Sequence, residues 1–160
     1  MKDDLTLLTF ALDQVWYAIH ALEVREVVLL PELTPLADAP PFVSGIFNLR
    51  GHIVTAIDLR QRMGLRRRPW SVKNAVLVVP SQERLYGLIV DEAFSLITLS
   101  SHELEPAPDF SPFMSSRQDR FVLAVGKLEE RLIPILDLNR IFTALEPQEV
   151  GEWQAKENHE

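Results

Sequence analysis

Among the residues able to do chemistry, the arginine within the fifteen-residue stretch Gly45 to Leu59, GIFNLRGHIVTAIDL, has the best-defined setting. Arg50 falls between two strand-like apolar runs and next to Gly51. A buried guanidinium without a partner is costly, so Arg50 is expected to point outward from a tight Leu49-Arg50-Gly51 turn. Gly51 would take the positive φ there that a side chain resists. Two uses suit such a cation. It can recognise an anionic group on a partner, or it can pair with a nearby carboxylate such as Glu26 or Asp91 while Asn48 and Gly51 shape the turn. Residue types alone leave both open.

The other candidates for chemistry are weaker. His20, His52, His102 and His159 do not sit four residues apart from one another or beside a carboxylate in a metal motif, so no metal site is expected. The chain has no nucleophile elbow, no phosphate loop of the GxxxxGK type and no pair of carboxylates that the pattern places in one cleft. No catalytic residue, cofactor or enzymatic activity is therefore assigned. Asp58, Asp91 and Asp137 read as helix caps and strand-end turns. The basic run Arg60, Arg62, Arg66, Arg67, Arg68, followed by Pro69 and Trp70, supplies phosphate forks and a stacking face. A barrel protein that binds single-stranded nucleic acid through Arg66 to Trp70 is thus the alternative reading. One aromatic after one loop in an acidic protein is thin support for it, and a solvated loop or a patch answering an acidic partner explains the run as well.

These groups must be positioned by strands. Short runs of valine, isoleucine, leucine and aromatics recur between turn residues, which predicts an all-β chain with few, short helices. Strands are expected near Leu7–Leu12, Trp16–His20, Val24–Leu30, Ile53–Ile57, Ala75–Val79, Leu85–Val90, Ala93–Leu99, Phe121–Val125 and Arg131–Leu136. After Asp58, LRQRM runs to Gly64, so the carboxylate can cap a short helix and the glycine can end it. Asp137 followed by LNRIF repeats the arrangement.

The repetition extends further. A shift of 69 residues superimposes Leu8 on Leu77, Tyr17 on Tyr86, Ile19 on Leu88, Glu23 on Glu92, Val27 on Leu96 and Leu30 on Leu99. A shift of 79 matches Leu49 with Leu128, Val54 with Ile133, Ile57 with Leu136, Asp58 with Asp137 and Leu59 with Leu138. The extra loop of the second half falls around Ser111 to Gln118. Any two β segments share valine and leucine, but Asp-Leu caps in the same order favour duplication. Two similar all-β halves, each too small to hide a sheet edge unless it curls, suggest two small barrels packed together, with a boundary near residues 70–75. Pro31, Pro35, Pro40 and Pro41 in one half, and Pro106, Pro108 and Pro112 in the other, are expected to form rigid extended connections. Residues 146–160 are polar and mostly acidic, and are expected to be a frayed helix or a disordered tail.

With 160 residues, 47% hydrophobic and 24% charged, the composition is that of an ordinary soluble globular protein with one substantial core or two fused small ones. A formal net charge of -7 argues against general affinity for nucleic acid or anionic membranes, which leaves proteins or small molecules as partners. The absence of cysteine fits a reducing compartment. The start, MKDDLTLLTFALDQ, matches neither a secretory signal nor a membrane span, so a cytoplasmic location is expected.

Taken in order, YAIHALEVREVVLLPELTPL, APPFVSGIFNLRGHIVTAIDLRQRMGL, YGLIVDEAFSLITLS with LEPAPDF, and LEERLIPILDLNRIF make the chain similar to the CheW family of chemotaxis coupling proteins, over residues 5–145. The resemblance implies a single CheW-like domain of two small intertwined five-stranded β-barrels, of SH3-like or OB-like type, that exchange strands, with short helices and a C-terminal helix or tail. It implies a non-enzymatic scaffold bridging the cytoplasmic tip of a chemoreceptor to the regulatory domain of a CheA-type histidine kinase. That role places it in the cytoplasm at the membrane-associated receptor array, without membrane insertion. Association with other CheW-like proteins in rings is left open. By position, the receptor groove would involve Val24, Glu26, Gly45, Arg50 and Gly51, with Ala93 and Leu96 on the opposite wall. The kinase-facing surface would use apolar strand ends of both barrels. Thr55 and Ala56 stand where the family often has proline and valine, and Ala93 where it often has valine, which implies a shallower groove on that side.

Overall fold

A computed structural model of the chain describes residues 4–108 and 121–143. The expected loop around Ser111 to Gln118, the tail 146–160 and His159 lie outside the described residues. The elements run β1 (Leu5–Leu12), β2 (Val15–His20), β3 (Glu26–Leu29), β4 (Val43–Leu49), β5 (His52–Asp58), α1 (Leu59–Arg62), β6 (Ala75–Ser81), β7 (Arg84–Val90), β8 (Glu92–Leu99), β9 (Leu104–Pro106), β10 (Val122–Leu128), β11 (Arg131–Leu136) and α2 (Leu138–Thr143). The all-β expectation holds. To the nine strands read from sequence the structure adds β4, on the near side of the Arg50 turn, and the short β9.

The strands form two sheets, one ordered β8-β1-β2-β11-β10-β9 and the other β3-β6-β7-β5-β4. The two orders are the same pattern with the halves interchanged. β1 and β2 of the first half sit beside β8 and β11 of the second, and β6 and β7 of the second sit beside β3 and β5 of the first. The shift of 69 lays β1 and β2 on β6 and β7, and the shift of 79 lays β4 on β10 and β5 on β11. Turn geometry follows the same relation. Asp13 and Gln14 both adopt positive φ between β1 and β2, as do their counterparts Gln82 and Glu83 between β6 and β7. Two-residue hairpin turns need that left-handed pair, because its twist matches that of the flanking strands.

Each sheet curls around a small core of its own. Phe47, Val54, Ala56, Val76, Val78 and Ile89, with Val28, draw on all five strands of one sheet. Leu7, Ala18, Leu99, Ile133 and Ile135, with Leu104 and Ala124, draw on all six strands of the other. The largest core, including Phe10, Leu12, Ile57, Met63, Leu77, Leu88 and Phe121, lies between the sheets and takes residues from both. Closed five-stranded barrels are not formed, since both backbone ladders are open and one sheet has six strands. One edge strand of each sheet is short: β3 has four residues, and β9 has three and ends on Pro106, which has no N–H to donate. In the five-stranded sheet a side-chain contact crosses the gap instead, where Arg50 at the β4–β5 tip meets Glu26 on β3.

Both expected helix caps are present. Asp58 Oδ1 accepts the N–H groups of Arg60 and Gln61 at 3.0 and 3.4 Å, and Asp137 Oδ1 accepts that of Asn139 at 3.0 Å.

Candidate functional site

β4 and β5 pair from Leu49 opposite His52, which leaves Arg50 and Gly51 as a two-residue turn at φ 49° and 89°. The Asn48 side chain accepts the Gly51 N–H at 2.7 Å and stabilises this left-handed pair, so a non-glycine residue is tolerated at Arg50. The Arg50 side chain is 69% exposed and its guanidinium donates to the half-buried Glu26 carboxylate. Of the two carboxylates that the sequence offered, Arg50 takes Glu26. Recognition and pairing are therefore compatible, because one face of the guanidinium is anchored while the rest stays in solvent. An exposed pair of this kind adds at most about 1 kcal/mol to stability, so its value lies in aiming the cation.

Further along β3 from Glu26, a shallow groove lies between β3 and β8, lined by Val27, Val28, Leu29, Lys73, Ala75, Glu92, Ala93 and Phe94; Val24, Glu26, Arg50 and Gly51 are not part of this lining. β3 and β8 are the edge strands of different sheets, so the groove runs along the seam of the molecule. The structure brings Glu26, Arg50 and Gly51 together at the β3 side and puts Ala93 on the opposite wall. Val24 and Ala93 both pack against the central core. Leu96 is exposed further along β8 and lies outside the groove lining. Gly45 also lies outside it. Its φ is 148°, and a Cβ at this position would stand 2.5 Å from the carbonyl oxygen of Thr34, which bridges to Ile46 beside it. Gly45 is thus required by the backbone.

Sequence reasoning missed the apolar wall of β3. Val27 and Leu29 are exposed although alternate positions of the same strand face inward, and apolar residues on both faces of a short strand were the available signal. Phe94 was missed as well; it stacks on Trp16 at 4.5 Å between ring centroids, and Arg131 covers the other ring at 4.1 Å.

The basic run divides. Arg60 and Arg62 are buried and used internally. Arg60 donates to Asp91 at 2.7 Å, Asp13 at 2.6 Å and the Arg66 carbonyl at 2.8 Å. Arg62 donates to the Ile141 carbonyl at 3.0 Å and lies over the rings of Phe42 and Phe121. What stays at the surface is a shallow cleft of Arg67, Arg68, Pro69 and Trp70, and Arg68 itself reaches Asp13 at 2.8 Å. The basic run loses two of its five cations to the interior, and in the Arg66 to Trp70 segment of the nucleic-acid alternative Trp70 is the one aromatic lining the cleft.

The Arg60 hydrogen bond holds the Asp13 carboxyl below its ordinary range. Burial pushes Asp58 up despite the helix N–H groups, and its Oδ2 has no partner. No group of three or more metal-ligating side chains occurs among the described residues. No helix among them is long and apolar enough to cross a membrane.

An aimed surface cation and an apolar seam, with Arg60 and Arg62 used internally, suit a protein that holds other chains. The CheW-like domain family model matches residues 6–146. The chain is 29% identical over 140 residues to the chemotaxis protein CheW of Rhizobium meliloti, covering 88% of each. It is 28% identical over 136 residues to that of Bacillus subtilis, covering 85% of each. The crystal structure of the scaffolding protein TtCheW from Thermoanaerobacter tengcongensis superposes with a TM-score of 0.77 at 30% identity, over 87% of this chain and 92% of that one. The chain belongs to the CheW-like domain family and is a chemotaxis coupling adaptor.

Proposed function

We propose that this adaptor works in the cytoplasm without catalysis and couples the cytoplasmic tip of a chemoreceptor to a CheA-type histidine kinase. Residues 5–145 act as one domain whose halves meet near residues 70–75. The receptor tip, a helical bundle, seats an apolar ridge along the β3 and β8 edges while Arg50 answers a carboxylate or a helix C-terminus. Val24, Glu26, Gly51, Ala93 and Leu96 shape or flank this surface, and Gly45 lies on β4, the strand that leads to the Arg50 turn. The kinase regulatory domain meets apolar strand ends, for which Ile53 and Leu132, exposed and related by the 79-residue shift, are the candidates.

The carrying observation is the exposed Arg50 at a rigid two-residue turn, anchored on the strand that forms one wall of the groove. The test is capture of a chemoreceptor tip fragment by the full chain and by Arg50→Glu. The variant is expected to lose about tenfold or more in affinity, since it places a like charge against the partner and against Glu26. Its far-ultraviolet circular dichroism should match the parent. Normal capture by the variant would overturn the assigned groove.

A further inference from the structure

We propose that Arg60 is a positioning residue that sets the β8 wall of the groove, an inference resting on the groove's assignment to the receptor. Arg60 lies two residues past the end of β5, which is buried from Val54 onward and spans about 20 Å at the usual rise per residue. Arg50 stands before the front end of that strand and Arg60 just past the back end. Arg50 grips Glu26 on the β3 wall. Arg60 grips Asp91, the single residue between β7 of one sheet and β8 of the other, at 2.7 Å. Asp91 is where the chain crosses between sheets, and the β8 wall begins at the next residue, Glu92.

The grip is geometrically complete. Three separate nitrogens of Arg60 donate, to Asp91, to Asp13 and to the Arg66 carbonyl, and only 3% of the side chain is exposed. Asp91 Oδ2 also accepts the Asp13 N–H at 2.8 Å, and the Asp91 N–H goes to the Ala11 carbonyl at 3.1 Å. Arg68 adds a second cation on Asp13, so two carboxylates face two guanidinium groups. A planar fork fixes the angle between the groups it joins, whereas a lysine supplies a point charge without that constraint. Loss of the fork therefore frees the crossover to shift, and the residues after it shift with it. Arg60 itself is too deeply buried to touch a partner.

Arg60→Lys in the full chain tests this, with Arg62→Lys as the comparison, because Arg62 is equally buried on the same helix yet bonds to α2 rather than to the crossover. Three readouts are needed: denaturant stability, titration with a chemoreceptor tip fragment, and backbone amide resonances. Both variants should lose stability. Only Arg60→Lys should weaken the fragment about tenfold and move the amides of Glu92, Ala93 and Phe94. Should Arg60→Lys not fold, Asp91→Asn carries the same criteria, since it keeps the shape of the contact and removes its charge. Unchanged binding by a folded crossover variant, equal binding loss in Arg62→Lys, or static amides at residues 92–94 would each overturn the positioning role. A parent protein that does not bind the fragment would instead overturn the groove assignment, and the amides would still decide whether the clamp holds the wall.

Discussion

Substitution of Gly45 by alanine puts the contact between β4 and the loop at Thr34 under direct load. The new Cβ would stand 2.5 Å from the Thr34 carbonyl oxygen and 3.0 Å from its carbon, closer than carbon tolerates against backbone. Relief requires Thr34 to move outward, which breaks the paired bonds Thr34 N–H to Ile46 carbonyl at 2.8 Å and Ile46 N–H to Thr34 carbonyl at 2.9 Å. At about 0.5–1.5 kcal/mol each, these two cost about 1–3 kcal/mol. The positive φ of 148° adds about 1–3 kcal/mol for a residue with a side chain. The expected loss is therefore about 2–6 kcal/mol, a large part of the about 5–15 kcal/mol that holds a domain of this size together. Urea denaturation followed by tryptophan fluorescence gives the total, and hydrogen exchange at the Thr34 and Ile46 amides gives the local share. A loss below about 1 kcal/mol with both amides still protected would refute the close-approach argument. Any fall in receptor capture by this variant is expected to track unfolding, in contrast to Arg50→Glu.

Asp58→Asn keeps a capping acceptor and removes a buried carboxylate whose pKa is raised above the ordinary 3.8 by burial. A raised folded-state pKa gives stability that is full below the unfolded value and is lost as pH rises through the folded one. The variant lacks that loss, so its melting temperature relative to the parent should rise as pH is raised above the ordinary 3.8, and a flat difference across thermal melts would count against it. Asp13, shifted downward by Arg60, titrates in both proteins and cancels in the comparison. Leu77→Ala empties a site of 0% exposure in the central core and should cost about 2–5 kcal/mol, read as a lower urea midpoint at unchanged slope. A cost under about 1 kcal/mol would mean that the two sheets repack freely across their seam.

Much of this arrangement was legible in the residues, and what escaped did so for identifiable reasons. Local signals survived. The Asp58 and Asp137 caps and the outward Arg50 turn concern neighbours in sequence, the 69- and 79-residue shifts compare runs of such neighbours, and each has its expected geometry. β4 was harder to see because Gly45 and Asn48 interrupt its apolar pattern, and β9 is only three residues ending on proline. Arg60 and Arg62 read as part of a solvated run because arginine is seldom fully buried unless paired. Their partners are remote: Asp13 is 47 residues from Arg60, and the Ile141 carbonyl is 79 from Arg62. Nothing local distinguishes a buried arginine from an exposed one when its carboxylates come from another sheet.

The duplicated frame is symmetric in backbone and asymmetric in charge, and the asymmetry carries the proposed function. Under the 79-residue shift, Arg50 and Gly51 correspond to Glu129 and Glu130, a turn of the opposite charge, while Glu26 corresponds to Ser95 under the shift of 69. Arg60 and Arg62 correspond to Asn139 and Ile141, so the equivalent positions of the second half supply neither the clamp nor the buried cation. Because each half lends a hairpin to the other's sheet, the halves cannot separate without opening both sheets, and the seam between their edge strands is held by the shared core. Exchange thus supplies a stiff seam, and divergence puts a cation at one of its two equivalent turns. A scaffold with two equivalent faces could engage a receptor through either. On the proposed assignment, one cationic turn gives this chain a single receptor-facing side and leaves the other for a different partner.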